Sequence, residues 1–196
     1  MRLAKTLIAT TAIGLASHGL GKATIIEEGA KDIAVKLTPE QVTKALEENL
    51  IGNWTVVDKE SKAVIHKWKG RWNERGISVK GKGVDFENGT IKNKSSFVTS
   101  YNSEIGFFVQ NLKVYEDGNQ NNLTRHISYD PNHKVATLVK VSPKPPIGIT
   151  LIQEWKTTGP NRTVSKFEVY EKGELVFKRE VIMTRKVAKS QKPSAP

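Results

Sequence analysis

The sequence contains no cysteine. Disulfide bonds, thiolate zinc sites and cysteine nucleophiles are therefore excluded, and the fold must rely on a noncovalent core. The signatures of common enzymes are missing too: the serine elbow Gly-x-Ser-x-Gly, the zinc motif His-Glu-x-x-His, and a phosphate-binding glycine loop that leads into a helix. We therefore expect a protein that is not an enzyme and that holds no cofactor and no metal.

Long apolar runs are also absent. A membrane-spanning helix needs roughly 18 or more apolar residues, and the apolar stretch Thr6–Ala16 is shorter than that. It follows a basic start with Arg2 and Lys5 and precedes several small residues, which is the order of a secretory signal peptide. We predict a signal peptide over residues 1–23, a secreted or periplasmic location and no transmembrane segment.

Negative charge is scarce: 31 Lys and Arg residues face 20 Asp and Glu residues, for a net charge of +11. Loss of the signal peptide removes only Arg2, Lys5 and Lys22, so the remaining chain is still strongly basic. A protein of this charge favours anionic surfaces, which makes an anionic envelope component or partner protein a candidate. We predict a linker over residues 24–37 and a disordered basic tail over residues 187–196, which has few apolar side chains to bury.

One helix is predicted near the start of the remaining chain. Thr38 is suited to the N-cap, Pro39 to the first helical position, and Gln41 can close a capping box onto Thr38. Apolar residues then recur at helical spacing as far as Leu50. This pattern predicts a short amphipathic helix from Pro39 to Asn49.

From Gly52 onward the hydrophobic period changes to two. In the stretch AVIHKWKGRWNE, Trp68 and Trp72 fall on one face, while Lys67, Lys69 and Arg71 fall on the other. We expect the aromatic face to point inward and the basic face outward. Because binding to single-stranded nucleic acid needs aromatic and basic groups on the same exposed face, we do not expect a nucleic-acid partner.

Eight to ten strands follow one another, separated by short turns such as Asp130-Pro131-Asn132. No helical stretch interrupts them, which argues against a parallel α/β sheet. A meander leaves two exposed edges unless it closes on itself. The predicted fold is therefore all-β, an antiparallel up-and-down β-barrel over residues 38–186, with a Greek-key sandwich as the alternative.

A closed barrel requires the first and last strands to meet. Gly52 would let the chain turn sharply from the helix into the first strand, and Trp54 would point inward at that end. Arg185 lies on the predicted last strand. We expect its guanidinium to lie beside the Trp54 indole, so that Gly52, Trp54 and Arg185 together close the barrel.

The pair Gly52-x-Trp54 and Arg185 resembles the signature of lipocalins. The chain also resembles an uncharacterised family of bacterial secreted lipocalin-like proteins, which are calycin-type barrels. The shared stretches are Leu50–Trp54, Trp72–Gly76, Tyr129–Pro131 and Thr184–Lys186. The resemblance implies a lipocalin-like barrel whose interior binds ligands. The middle strands lack a lipocalin ligand motif and there is no cysteine pair, so the resemblance does not identify the ligand.

Alternation places several aromatic and basic side chains inside the predicted barrel. Arg125 and Arg179 are candidates to meet an acidic head group on a ligand. An aromatic lining with few polar groups is typical of a small-molecule pocket, and it is equally typical of a filled core. The residues predicted to bind a ligand are Trp68, Trp72, Phe108, Arg125, Tyr129 and Trp155.

The leading functional hypothesis is non-catalytic binding of a small hydrophobic or amphipathic ligand inside a monomeric barrel. The alternative is an interaction module that uses the basic outer face. The third hypothesis is an enzyme of unfamiliar type working in the barrel mouth. His66 is expected to be a hydrogen-bonded core histidine, and Asp85 and Glu87 are expected to lie on a solvated strand face.

Overall fold

One helix and ten strands make up the structure, a computed structural model that describes residues 36–186. The predicted signal peptide, the predicted tail and all but the last two residues of the predicted linker lie outside the described residues. The elements are α1 (Pro39–Asn49), β1 (Gly52–Asp58), β2 (Val64–Glu74), β3 (Ser78–Glu87), β4 (Thr90–Asn102), β5 (Phe107–Glu116), β6 (Asn119–Asp130), β7 (Val135–Ser142), β8 (Ile149–Gly159), β9 (Arg162–Glu171) and β10 (Glu174–Lys186).

Helix α1 begins with the predicted capping box. The Gln41 backbone N–H donates to the Thr38 hydroxyl (3.2 Å), and the Thr38 backbone N–H donates to the Gln41 side-chain oxygen (2.9 Å). The Leu50 N–H closes the last turn onto the Leu46 carbonyl (3.0 Å). The predicted bounds of the helix are confirmed.

The ten strands form a closed barrel in which each strand pairs antiparallel with its neighbours along the chain. Closure comes from β1 and β10, whose residues Asn53–Asp58 oppose Val181–Lys186 in six pairs. Both sheet edges are thereby removed. The up-and-down barrel is confirmed, at the upper limit of the predicted strand number, and the Greek-key sandwich is wrong.

Helix α1 packs across one end of the barrel. Val42, Ala45, Leu46 and Leu50 are buried in the same core cluster as the inward side chains of the strands. Leu37, just before the helix, packs against this cluster, and its backbone N–H donates to the Tyr101 hydroxyl (3.0 Å). We call this the helix end. The opposite end carries the turns after β1, β3, β5, β7 and β9, and we call it the open end.

The barrel seam is covered at the helix end by Arg185. Its guanidinium lies over the Trp54 ring, 5.3 Å from the centroid, and Trp54 is 2% exposed. The same group donates to the carbonyls of Glu47 (2.7 Å), Ile51 (3.2 Å) and Pro160 (2.6 Å), and to the Asn161 side chain (3.0 Å). One side chain thus ties the end of the helix, the first strand and the β8–β9 turn together.

Gly52 is required where the helix enters β1. Its φ is +114°, and a Cβ at this position would lie 2.7 Å from the Arg185 Cδ. An L side chain would therefore be strained by its backbone conformation and would displace the arginine. The predicted group of Gly52, Trp54 and Arg185 lies together at the seam.

Arg185→Ala should lower the free energy of unfolding by about 2–4 kcal/mol, because it leaves several carbonyls without a donor and uncovers the Trp54 ring. The measurement is the urea midpoint at neutral pH. Arg162→Ala, which removes an exposed arginine at the same end of the barrel, is the matched control and should cost about 0.5 kcal/mol or less. Equal midpoints for the two variants would contradict the role given to Arg185.

Candidate functional site

The barrel encloses a main cavity of about 100 Å³ between the helix end and the open end. Side chains from every strand except β3 and β7 line it, together with Leu50. The apolar part of its wall consists of Leu50, Val56, Ile65, Trp68, Phe97, Leu112, Trp155, Phe167, Phe177, Val181 and Met183. The polar part consists of His66, Ser95, Gln110, Arg125, Gln153, Ser165 and Arg179.

The six predicted ligand-binding residues do not form one site. Trp68, Arg125 and Trp155 line the main cavity. Phe108 and Tyr129 instead line a second space of about 20 Å³ under α1, which Trp155 also borders. Trp72 lies outside both cavities, half-buried and packed against the core. The predicted residues are divided between two spaces because α1 fills the helix end of the barrel.

Tyr129 belongs to the attachment of the helix. Its hydroxyl donates to the Glu48 carboxylate (3.4 Å). Burial, reinforced by the nearby negative charge of Glu48, raises the pKa of Tyr129 to about 12. The group is therefore a neutral donor at physiological pH, and it joins β6 to α1.

Three tryptophans form a column from the seam into the main cavity. Trp54 stacks on Trp68 with ring centroids 5.3 Å apart, and Trp68 stacks on Trp155 at 6.2 Å. The indole N–H groups of Trp68 and Trp155 are buried and have no hydrogen-bond partner among residues 36–186. A buried donor without a partner costs about 1–3 kcal/mol.

Glycines on β3 leave room for this column and its neighbours. Gly81 and Gly83 face inward, opposite Gly70 and Trp68 on β2. A Cβ at Gly81 would overlap the Phe97 ring, and one at Gly83 would lie 2.7 Å from the His66 Cε1. The absence of side chains here lets large rings cross the interior.

His66 and Asp85 form a buried pair on adjacent strands. Asp85 Oδ1 lies 2.7 Å from His66 Nδ1. Asp85 is 6% exposed and His66 is 9% exposed. The prediction of a solvated strand face is wrong for Asp85, since it opposes inward-facing His66. Its second oxygen has no partner among the described residues.

The two interior arginines have different surroundings. Arg179 donates from Nε to Asp58 Oδ2 at 2.7 Å. Burial raises the pKa of the Asp58 carboxyl, but hydrogen bonds from the Ser61 backbone and from Arg179 outweigh it and lower that pKa to about 2. Arg179 is thus neutralised by a partner within the protein.

Arg125 has no such partner. Within the described part of the chain, no carboxylate lies within 4.0 Å of its guanidinium and no hydrogen bond reaches it. Its guanidinium lies deep enough for burial to lower its pKa to about 10, an effect that the charge of Asp85 partly offsets. The group is still a cation at neutral pH.

Lys140 opposes Arg125 on β7 and was missed by the sequence analysis. Burial, followed by repulsion from Arg125, lowers the pKa of Lys140. The alternation of β7 would have revealed it, because Lys140 continues the inward series of Ala136 and Leu138. Two cations therefore lie side by side on the inner wall.

The outer wall of β2–β5 carries a basic face. Lys69 opposes Lys82, and Arg71 opposes Lys80, in directly facing pairs. No acidic side chain occupies the outward positions between these residues, and none of them forms an ion pair within residues 36–186. The alternation predicted for Trp68 and its lysine neighbours is confirmed. The basic face consists of Lys67, Lys69, Arg71, Lys80, Lys82, Lys94 and Lys113.

The described residues contain no group of three or more His, Asp or Glu side chains able to hold a metal ion. Across the same residues, no helix has both the length and the apolar character needed to cross a bilayer. A scan against protein-family models finds no match to the chain, and a search of curated proteins finds none either.

Because of the Asp58–Arg179 pair, the free energy of unfolding should fall when the pH is lowered into the acidic range. Because the pKa of folded Asp58 is about 2 and its ordinary value is 3.8, its contribution is complete above about pH 4 and is lost as the pH falls toward 2. Arg179→Met should lower the free energy of unfolding at neutral pH by about 2 kcal/mol or more and flatten this acid dependence.

Urea unfolding measured between about pH 2 and pH 7 tests this prediction. Arg125→Met is the matched control, since it removes an interior arginine that has no carboxylate partner. The control should leave the acid dependence as it is in the parent protein. If both variants lost the same free energy of unfolding at neutral pH, the contact of Arg179 with Asp58 would not be the source of the stabilisation.

Proposed function

We propose that this protein is a secreted or periplasmic lipocalin-like barrel that binds a small, partly apolar ligand in its main cavity and performs no catalysis. The observation that carries the proposal is a mostly apolar cavity, lined by Trp68 and Trp155, on which a few polar side chains converge. Apolar walls with a few convergent polar groups are typical of ligand sites.

The size of the cavity limits the ligand. An apolar cavity of about 150 Å³ accommodates benzene, so a cavity of about 100 Å³ has room for a somewhat smaller group. A short aliphatic chain with one polar end fits this space. A longer tail would have to extend toward the open end, past Phe167 and Phe177.

Tryptophan fluorescence tests the proposal directly, since Trp68 and Trp155 line the cavity. Titration with neutral straight-chain alcohols, from butanol to octanol, should give a saturable change in emission. Ser95→Leu should weaken binding about tenfold or more, because Ser95 lines the cavity and the larger side chain fills it.

Ser96→Leu is the matched control, because Ser96 is the next residue on β4 and faces outward. It should bind the alcohols as the parent protein does. Absence of any saturable response in the parent protein would refute the proposal, and so would an equal loss in both variants.

A second candidate function is attachment to an anionic envelope surface through the basic face. Like charges directly opposite one another on neighbouring strands are destabilising, yet Lys69 faces Lys82 and Arg71 faces Lys80. Retention of these unfavourable pairs without neutralising acids supports a role in binding an anionic partner.

The double variant Lys69→Gln/Lys82→Gln tests this role. The parent protein should sediment with vesicles of phosphatidylglycerol and phosphatidylcholine at low salt, and the double variant should do so about tenfold more weakly. Lys156→Gln/Lys166→Gln removes the same charge from β8 and β9 and should have little effect. Equal weakening by the two double variants would indicate net charge alone and would overturn a specific face.

A further inference from the structure

We infer that the main cavity selects an organic anion, a carboxylate on a short apolar chain, that Arg125 in its wall holds the charged group, and that Lys140 beside Arg125 adds to the attraction. The inference rests on the proposed function, because it concerns a ligand in the same cavity. It specifies the charge of that ligand, which an apolar cavity alone does not.

The contrast between the two interior arginines is the first observation. Both Arg125 and Arg179 line the cavity. Arg179 is held by Asp58 at 2.7 Å, whereas the Arg125 guanidinium meets no carboxylate within 4.0 Å in the described chain. A buried charge without a partner is costly, and a bound anion would remove that cost.

Lys140 is the second observation. It opposes Arg125 across β6 and β7, so both side chains lie on the inner face. The register of these strands shifts between Thr124 and Arg125, where β7 has one extra residue. Bulges of this kind redirect side chains and are common beside binding sites. The two cations repel each other, and only a negative group between them would make the arrangement favourable.

The charges that face this pair do not cancel it. The Asp58 carboxylate already accepts a hydrogen bond from Arg179. Asp85 attracts Arg125 from across the barrel, but its nearer interaction is the 2.7 Å contact with His66. Arg125 and Lys140 therefore face a carboxylate that His66 already contacts, and a carboxylate from a ligand would supply the negative charge that this pair lacks.

The chemistry of the wall favours a carboxylate. A guanidinium presents planar, paired N–H donors that match the two oxygens of a carboxylate. Gln110 and Gln153 line the same cavity and carry amide donors that can also bind a carboxylate oxygen. Leu112, Phe97 and Met183 supply the apolar surface for a short chain.

The wall beside Lys140 also offers a route of entry. Only four residue pairs join β7 to β8, and they lie nearest the helix end, from Val135 to Leu138. Beyond them, residues 139–142 and 149–152 are not paired with each other, although β8 remains paired with β9 as far as Ile149. Lys140 lies on this unpaired stretch, so an approaching anion would meet it before Arg125.

Matched pairs of straight-chain probes test the inference, with hexanoate compared with hexanol and butyrate compared with butanol. The parent protein should bind each carboxylate about tenfold or more tightly than the alcohol of equal length, as expected for charge-assisted hydrogen bonds. Arg125→Met should abolish this preference, so that each carboxylate binds no more tightly than the alcohol of equal length. Lys140→Met should reduce the preference by a smaller factor.

Two further variants sharpen the test. Asp85→Asn keeps an acceptor for His66 but removes the competing charge, so it should increase the affinity for the carboxylates. Lys156→Met removes an exposed cation from the outer side of β8 and should leave the preference unchanged. Fluorescence titration and calorimetry give the affinities, and thermal unfolding with and without each probe checks that the variants fold.

The outcomes separate the two proposals. Binding of the alcohols with no preference for the carboxylates would overturn the inference and leave the proposed function standing. Absence of binding by either probe class would refute the proposed function as well. A preference that survives in both Arg125→Met and Lys140→Met would show that the anion binds elsewhere, and would also overturn the inference.

Discussion

The pairing of β1 with β10 is the constraint on which this molecule depends. Without it, ten consecutive strands would leave two long unpaired edges and no enclosed interior. The pairing brings Trp54 and Arg185 into register, and the Arg185 guanidinium then reaches the helix and the β8–β9 turn as well. Because the chain has no cysteine, this closure is entirely noncovalent.

Closure creates an interior that is larger than its side chains can fill. The helix occupies one end, the tryptophan column crosses the middle, and the remaining space is bordered by both apolar and charged groups. A purely structural core would pair its polar groups internally. Asp58 and Arg179 follow that rule, whereas Arg125 and the indoles of Trp68 and Trp155 do not. Trp68 and Trp155 line the cavity, whereas Asp85, Asn93 and Thr163, which also have a buried atom without a partner, do not.

The sequence predicted the barrel, the helix and the seam because each depends on local patterns. Strand alternation put Trp68 inside and Lys69 outside, and the capping box defined where the helix starts. The division of the interior into two cavities could not be predicted, since it depends on how far α1 descends into the barrel. The different surroundings of Arg125 and Arg179 depend on contacts between strands distant in sequence, such as the one from Asp58 to Arg179. Asp85 was wrongly assigned to a solvated strand face. A period of two separates the two faces of a strand, but where charged residues are numerous it does not show which face turns inward.

The two ends of the described chain leave the barrel at the same pole. Leu37 contacts Tyr101 near the β4–β5 turn, and Lys186 lies opposite Asn53 at the start of β1, both beside the helix. A tether joined at Leu37 or Lys186 would therefore start at the helix end, opposite the open end. A molecule fused at these positions would lie beside α1 and away from the turns of the open end.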